Sequence, residues 1–259
     1  VTPQIADQTG ALDVTWIGHS SFSIDVAGTR ILCDPVLTNR IAHLRRRRAA
    51  PDPSLFEADI VLVSHAHMDH LHVPSLALLR PGAEVVVPRG LGRLLDPRRF
   101  TVTEVVIGQH LERGPVTIEV VPAAHKHGRG PHRRIAARPV GYVVGGDGRR
   151  IYFAGDTDLF PQMQELDDID VALLPIWGWG PTIGVGHLDP ARAADATTLI
   201  EPRLVIPMHW GTYAPEDGRR RLPRWFDTPP DRFASELGAV GRTDRLRLLE
   251  PGSSCRVDD

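Results

Sequence analysis

The chain has 259 residues, 42% apolar and 24% charged, with a formal charge of −2 and only two cysteines. That length can bury a large core, while the near-zero charge offers no global field for nucleic acid or an anionic membrane. No apolar run reaches the roughly 20 residues a membrane span needs, and Cys33 and Cys255 are too few for a disulfide framework.

Residues 1–10 read as a mobile tail, and the absence of a charged-then-apolar leader makes the cytoplasm the expected address. Ala11–Gly18, Ser21–Val26 and Arg30–Cys33 read as a three-strand meander with Ala27-Gly28-Thr29 as a tight turn. His19, between the first two strands, has no neighbouring acid or histidine and is expected to be structural, or to support a ligand, rather than to bind metal itself. Thr38–Pro53 reads as an arginine-rich loop. Its run Arg45-Arg46-Arg47-Arg48 is expected to be solvated, with a phosphate or lipid-headgroup anchor as the alternative. Asp59–Val63 is a buried strand. Pro74–Arg80 reads as a helix, Glu84–Val87 as a strand and Gly90–Leu95 as a short helix. Thr101–Ile107 and Val116–Val121 are strands, with His110 on an exposed turn between them. Lys126–Arg138 is a polar loop. Pro139–Val144, Arg150–Ala154, Val171–Pro175 and Leu204–Pro207 are further strands. Leu159–Leu166, Asp189–Ile200 and Asp231–Leu237 are helices, and Arg245–Leu249 is a terminal strand. Strands followed by helices in each half predict two mixed sheets packed face to face with helices outside. No linker divides residues 1–259 into separate domains.

The chemistry concentrates after the strand Asp59–Val63, in Ser64-His65-Ala66-His67-Met68-Asp69-His70. A loop leaving a strand end can aim several neighbouring side chains at one point. Imidazoles with a carboxylate suit zinc, and also manganese or iron. Three further positions follow apolar runs in the same way: His125 after Val121-Pro122-Ala123-Ala124, Asp156 after Phe153-Ala154-Gly155, and His209 after Pro207-Met208. Asp156 has an alternative reading as the N-cap of the helix expected at Leu159–Leu166. His127 competes with His125, but His125 lies nearer the strand end and is preferred.

These four pieces, in this order, resemble the signature of the metallo-β-lactamase superfamily, whose members are mostly metal-dependent hydrolases. Trp16-Ile17-Gly18-His19-Ser20-Ser21-Phe22 and Cys33-Asp34-Pro35-Val36 look like the branch holding ascorbate-6-phosphate lactonases and N-acyl-phosphatidylethanolamine phospholipases D. The resemblance implies a four-layer αβ/βα sandwich. It implies His65, His67 and His125 on one divalent ion, Asp69, His70 and His209 on a second, and Asp156 bridging both. Zinc is the first expectation. The second histidine of the motif is His67, where the diiron oxidoreductase relatives typically carry Glu, which disfavours redox chemistry. In the phospholipase-like branch the third-motif histidine is often followed by Trp-Ser and then Arg, whereas here Lys126-His127-Gly128-Arg129 follows His125.

A metal-activated water then attacks an ester, amide or phosphoryl centre. Asp69 and His187 are the expected catalytic residues. Trp177, Trp179 and His187 are the expected substrate contacts, the first two from a Gly/Trp-rich loop and the last because it matches a histidine near the substrate in the phospholipase-like branch. The expected function is dinuclear hydrolysis of a phosphodiester or cyclic ester of a small or lipid-like molecule. A lactonase of a small sugar or acyl lactone, and a metal-binding scaffold without turnover, are the alternatives; decayed scaffolds would be expected to lose ligands, and none is missing here.

Overall fold

The computed structural model describes residues 12–126, 128–129, 132–216 and 222–257. The expected tail and His127 lie outside them. The described residues form two main mixed sheets. The first runs, edge to edge, Ser254–Val257, Leu12–Gly18, Ser21–Val26, Thr29–Cys33, Ile60–Leu62, Glu84–Pro88 and Thr101–Val105. Its first four strands are antiparallel, and parallel pairing begins at Ile31↔Ile60. The second runs Leu204–Met208, Val171–Pro175, Arg149–Phe153, Val140–Gly146, Val116–Pro122 and His110–Arg113, with its first three strands parallel.

Side-chain alternation assigns each strand's two faces. Ile31, Cys33, Ile60, Leu62 and Val86 point into the core shared with the second sheet, where Val120, Tyr142, Val144 and Phe153 meet them. Leu32, Val61, Val85 and Val87 point the other way, onto Leu71, Leu76, Leu79 and Phe100. Strands buried on both faces read as unbroken apolar runs, as these do. The meander is as expected: Ala27 and Gly28 both take positive φ, at 48° and 71°, in the two-residue turn that a twisted hairpin favours.

The helical layer is thinner than expected. The helix read at Pro74–Arg80 is one turn, Val73–Leu76, and those at Gly90–Leu95 and Leu159–Leu166 are the 3₁₀ turns Gly92–Leu94 and Pro161–Glu165. Each is too short to propagate an α-helix against the nucleation cost. Pro190–Ile200 and Pro229–Ala239 are full helices, the first capped by the Asp189 side chain accepting from the Arg192 amide. Asp156 caps no helix. The terminal strand is also misplaced in the sequence reading. Thr243–Arg245 is a 3₁₀ turn, and the edge strand is Ser254–Val257, where Cys255 and Val257 are buried and Ser254 and Arg256 exposed. That alternation spans only four residues, too few to stand out as a strand. His110 is exposed but opens a strand, and Lys126–Arg138 contains a small ribbon, Gly128–Arg129 with His132–Ala136.

The arginine-rich loop is a third small sheet. Arg40–Ile41 and Leu44–Arg46 form a hairpin that pairs with Tyr213–Pro215. Arg46 is buried, not solvated. Its guanidinium donates to Ile17 O (3.0 Å), Val36 O (2.9 Å) and Tyr213 Oη (3.2 Å). Arg40 and Arg45 pair with Glu216, Arg47 donates to Pro215 O, and Arg48 pairs with Asp227. The run is used to pin the hairpin.

Because Val140–Gly146 lies antiparallel between Val116–Pro122 and Arg149–Phe153, those two strands run the same way. Arg149–Phe153, Val171–Pro175 and Leu204–Met208 are parallel neighbours. Their C-terminal ends therefore share one edge, and the loops leaving that edge carry His125, Asp156 and His209. Tyr142 Oη donates to Val63 O (2.8 Å) and the Val140 amide to Ser64 O (3.0 Å), which fastens the His65–His70 loop of the first sheet beside them.

Candidate metal centre

Two groups of potential ligand atoms converge at this edge, each with its atoms within 4.8 Å of one another: His65, His67, His125 and Asp156, and His19, Asp69, His70 and His209. Asp156 lies between them. Its Oδ2 is 3.2 Å from His70 Nε2, 3.8 Å from His125 Nε2 and 3.9 Å from His65 Nε2, and its Oδ1 is 3.1 Å from His209 Nε2. His125 Nε2 faces His67 Nδ1 at 3.2 Å.

The opposite ring nitrogens of His65, His70, His125 and His209 are committed. His70 Nδ1 donates to Asp34 Oδ2 (2.6 Å), His125 Nδ1 to Gly186 O (2.6 Å) and His209 Nδ1 to Trp177 O (2.9 Å). Ser64 Oγ donates to Asp34 Oδ2 (2.5 Å), so its oxygen accepts from His65 Nδ1 (2.9 Å). Each acceptor requires a proton on Nδ1, which leaves the Nε2 lone pair facing the cluster. His65 Nε2, His70 Nε2, His209 Nε2 and Asp156 Oδ1 are buried without a hydrogen-bond partner. Such atoms are costly to bury unpaired, and a shared cation is the partner that satisfies them together. The donor set fits a divalent metal, and the lack of thiolates distinguishes it from the common structural zinc sites.

The field points the same way. Burial pulls the imidazoles down: His65 well below its usual range, His125 to about 4 and His209 to about 3. At His70 burial acts in the same sense, but the carboxylates of Asp156, Asp34 and Asp69 outweigh it and lift its pKa well above the ordinary value. Burial would raise the Asp156 carboxyl, yet His209 and His70 hold it well below the usual carboxylate range. Positive charge is favoured between these carboxylates, and neutral imidazole at His65, His67, His125 and His209.

Local strain accompanies the site. His19, Asp34 and His209 take positive φ of 56°, 39° and 65°, uncommon for residues other than glycine. The His209 amide donates to His19 O (3.0 Å), and the His19 amide to Thr212 Oγ1 (2.8 Å). Gly155 is required by contact as well as by its φ of 59°: a Cβ there would lie 2.5 Å from Ser64 Cβ.

The structure brings together His65, His67, Asp69, His70, His125, Asp156 and His209, and places His187 with its Nε2 3.4 Å from Asp156 Oδ2. Trp179 and His187 line the adjoining cavity. Trp177 faces elsewhere: its indole N–H donates to Gly180 O (3.0 Å), and its contribution to the site is the carbonyl that holds His209. The sequence leaves the partner of His19 unnamed, since Asp69 Oδ2, at 3.0 Å, is 50 residues away. Asp34, fully buried, enters the sequence reading only within the stretch Cys33-Asp34-Pro35-Val36, with no role of its own. Its local signal is an acid before proline at the end of an apolar strand.

Residues 29–210 match the model of the beta-lactamase superfamily domain. The chain belongs to the metallo-β-lactamase superfamily. It is 35% identical over 247 residues to a UPF0173 metal-dependent hydrolase of Methanopyrus kandleri, covering 93% of this chain and 98% of that one. It is 37% identical over 244 residues to a UPF0173 metal-dependent hydrolase of Thermococcus onnurineus, covering 92% and 96%. Among solved structures it resembles Igni18, a metallo hydrolase from Ignicoccus hospitalis, with a TM-score of 0.74 and 26% identity over 96% of this chain and 99% of that one. Within this superfamily the chain is a metal-dependent hydrolase with a mixed α/β fold. No helix among the described residues is long and apolar enough to cross a membrane.

Proposed function

We propose that this hydrolase works with two divalent cations, zinc first among them, and cleaves an ester: a phosphodiester or a carboxylic ester, open or cyclic. His65, His67 and His125 would hold one ion, Asp69, His70 and His209 the other, and Asp156 both. The observation that carries this reading is the position of Asp156, whose two oxygens face histidines of both groups while Oδ1 and three Nε2 atoms stay unpaired.

Cations held there supply a lowered water pKa and polarise the scissile group. The chain's own residues do the rest. Asp34, through Ser64 and directly, keeps His65 and His70 in the tautomer that points Nε2 inward. His19 holds Asp69, the more open of the two site carboxylates, with its Oδ2 against the His19 ring. Asp69 is thereby oriented to receive a proton from the attacking water. His187 donates Nδ1–H to Gly184 O (3.1 Å), so Nε2 is its cavity-facing atom. In that tautomer Nε2 would accept a hydrogen bond from the substrate, and only the doubly protonated ring would pass an Nε2 proton to the departing oxygen.

Elemental analysis of protein prepared without chelators tests the stoichiometry, with close to two ions per chain expected. Loading with zinc, manganese or iron, followed by a screen of bis-p-nitrophenyl phosphate, lactones and neutral esters, tests the reaction. A fully loaded protein that turns over none of them would overturn the catalytic reading.

A further inference from the structure

Two cavities adjoin the ligand cluster, and their walls differ. The first, about 320 Å³, lies beneath the hairpin that the arginine run pins in place. Beyond the cluster itself it is walled by Ile41, Ala42, His43 and Leu44 of that hairpin, with Met68. The second, about 230 Å³, lies within the loop after Val171–Pro175, against Gly178, Gly180, Thr182, Ile183 and Gly184. His187 and His209 border both, and Trp179 is the wall common to the two.

Trp179 does not stand alone. The His43 and Trp179 rings meet in a T-shaped contact, with centroids 5.5 Å apart and planes at 80°. This contact ties the hairpin to the Gly/Trp-rich loop across the mouth. Aromatic pairs in this arrangement are favourable beyond their buried area. Among the described residues lining the two cavities there is no lysine or arginine, and the arginines of the hairpin are engaged by protein partners. Among the described residues a phosphorylated limb would meet imidazoles but no lysine or arginine there, whereas an uncharged limb would find apolar or small walls.

We infer that the substrate is an open-chain carboxylic ester with two uncharged limbs, one seated under the hairpin and the other in the Gly/Trp-rich loop, with Trp179 as the partition and His43 as the residue that positions it. This rests on the hydrolase reading above and narrows it. The reaction adds water across the acyl–oxygen bond. The water oxygen bonds to the acyl carbon, the bond to the alcohol oxygen breaks, one water proton ends on that oxygen, and no other reactant is consumed. Flanking compartments suit an ester, since its limbs separate on cleavage. A small lactone needs only one.

The test uses the zinc-loaded 259-residue chain and two ester series, one lengthening the acyl limb and one the alcohol limb, beside bis-p-nitrophenyl phosphate and small lactones. Zinc content is measured for every variant. In Gly178→Val the added side chain enters the second cavity. A Cβ at this position lies 3.4 Å from Ile183 Cγ2 and 3.9 Å from His209, in ordinary contact, and the backbone is not in the left-handed region. The kcat/KM ratio of long to short limb should fall about tenfold in one series and stay within about twofold in the other. Trp179→Ala should blunt chain-length discrimination in both series, Trp179→Phe should restore it, and His43→Ala should fall between. Equal shifts in both series, or none, would overturn the two-compartment site. So would lactones or the phosphodiester outpacing the best open ester by about tenfold.

A binding arm separates this proposal from the reaction it rests on. N-butylbutyramide, an uncharged two-limbed analogue, should quench tryptophan fluorescence in the wild type and lose about tenfold in affinity in Gly178→Val. If it binds this way while no ester, lactone or phosphodiester is turned over, the compartments stand and the hydrolytic reading fails. If the phosphodiester is cleaved but the analogue does not bind, the hydrolytic reading stands and the two-limbed substrate fails.

Discussion

Replacing Asp34 by Asn changes none of the proposed ligands, yet should weaken binding at both metal positions. Asp34 is fully buried. Its Oδ1 accepts from the Ser64 amide (2.7 Å), and its Oδ2 accepts from Ser64 Oγ (2.5 Å) and His70 Nδ1 (2.6 Å). Asn is nearly isosteric and tolerates the positive φ at this position, so the backbone can persist. The side-chain amide cannot satisfy both sides. With its NH₂ toward His70, the imidazole must accept at Nδ1, which moves the ring proton to Nε2, the atom facing Asp156. Ser64 Oγ must then accept as well, and its own proton turns toward His65 Nδ1, with the same consequence in the other cluster. With the amide flipped, its NH₂ meets the Ser64 N–H, an unpaired buried contact costing about 1–3 kcal/mol. Losing the residue that orients a ligand typically weakens metal binding about 10–100-fold, which is about 1.4–2.7 kcal/mol per site. Competition with a chromophoric zinc chelator measures both constants. Wild-type affinity at both sites in a folded Asp34→Asn protein would refute the reasoning.

Four further outcomes follow from the same geometry. Asp156→Ala should reduce occupancy of both positions, and elemental analysis showing full loading would contradict the bridging role. Gly155→Ala should lower the melting temperature, with about 1–3 kcal/mol from the left-handed backbone alone, and should weaken zinc binding because Ser64 must move; an unchanged melt would count against the 2.5 Å contact. Removing metal with a chelator should lower the melting temperature, since each site saturated at about 100 times its dissociation constant contributes about 2.7 kcal/mol; coincident melts with and without chelator would argue against tight binding. Glu84 is held below its usual range by hydrogen bonds from Arg113, at 2.6 and 2.7 Å. A depressed carboxyl pKa stabilises the fold above the unfolded value near 4.3 and loses that effect as pH falls through the folded value. The melting difference between wild type and Glu84→Gln should therefore be flat from neutrality to about pH 5, at about 1 kcal/mol for this half-exposed pair, and shrink below it. A pH-independent difference would dismiss the linkage.

What was legible in the sequence was local. His65, His67, Asp69 and His70 share one loop, and His125, Asp156 and His209 each end an apolar run, so strand-end chemistry could be read from neighbours alone. The parallel strands announced themselves by β-branched runs buried on both faces. Contributions that depend on distant partners were not legible. His19 meets Asp69 across 50 residues, and Asp34 reaches His70 across 36. The hairpin Arg40–Arg46 was hidden by its charge, because Arg46 is buried by carbonyl acceptors at Ile17 and Val36 that no window around it contains. The edge strand Ser254–Val257 was too short and polar to stand out, and its pairing with Leu12–Thr15 joins opposite ends of the chain.

Each cluster draws on both sheets. His65 and His67 follow a strand of the first sheet and meet His125 and Asp156 of the second; Asp69 and His70 of the first meet His209 of the second. Neither half can assemble a cluster alone, so the ligand geometry exists only when the sheets have packed. That explains why strain is tolerable at this seam. His19, Asp34 and His209, each at positive φ, are cross-linked by the His209 amide to His19 O, by His19 to Asp69 and by Asp34 to His70. The packed core of both sheets stands behind them. Strained backbone persists where its surroundings over-determine it, and here the surroundings are the two sheets themselves. A cation shared between the halves would reward the same closed arrangement, which makes metal affinity and sheet packing two readings of one equilibrium.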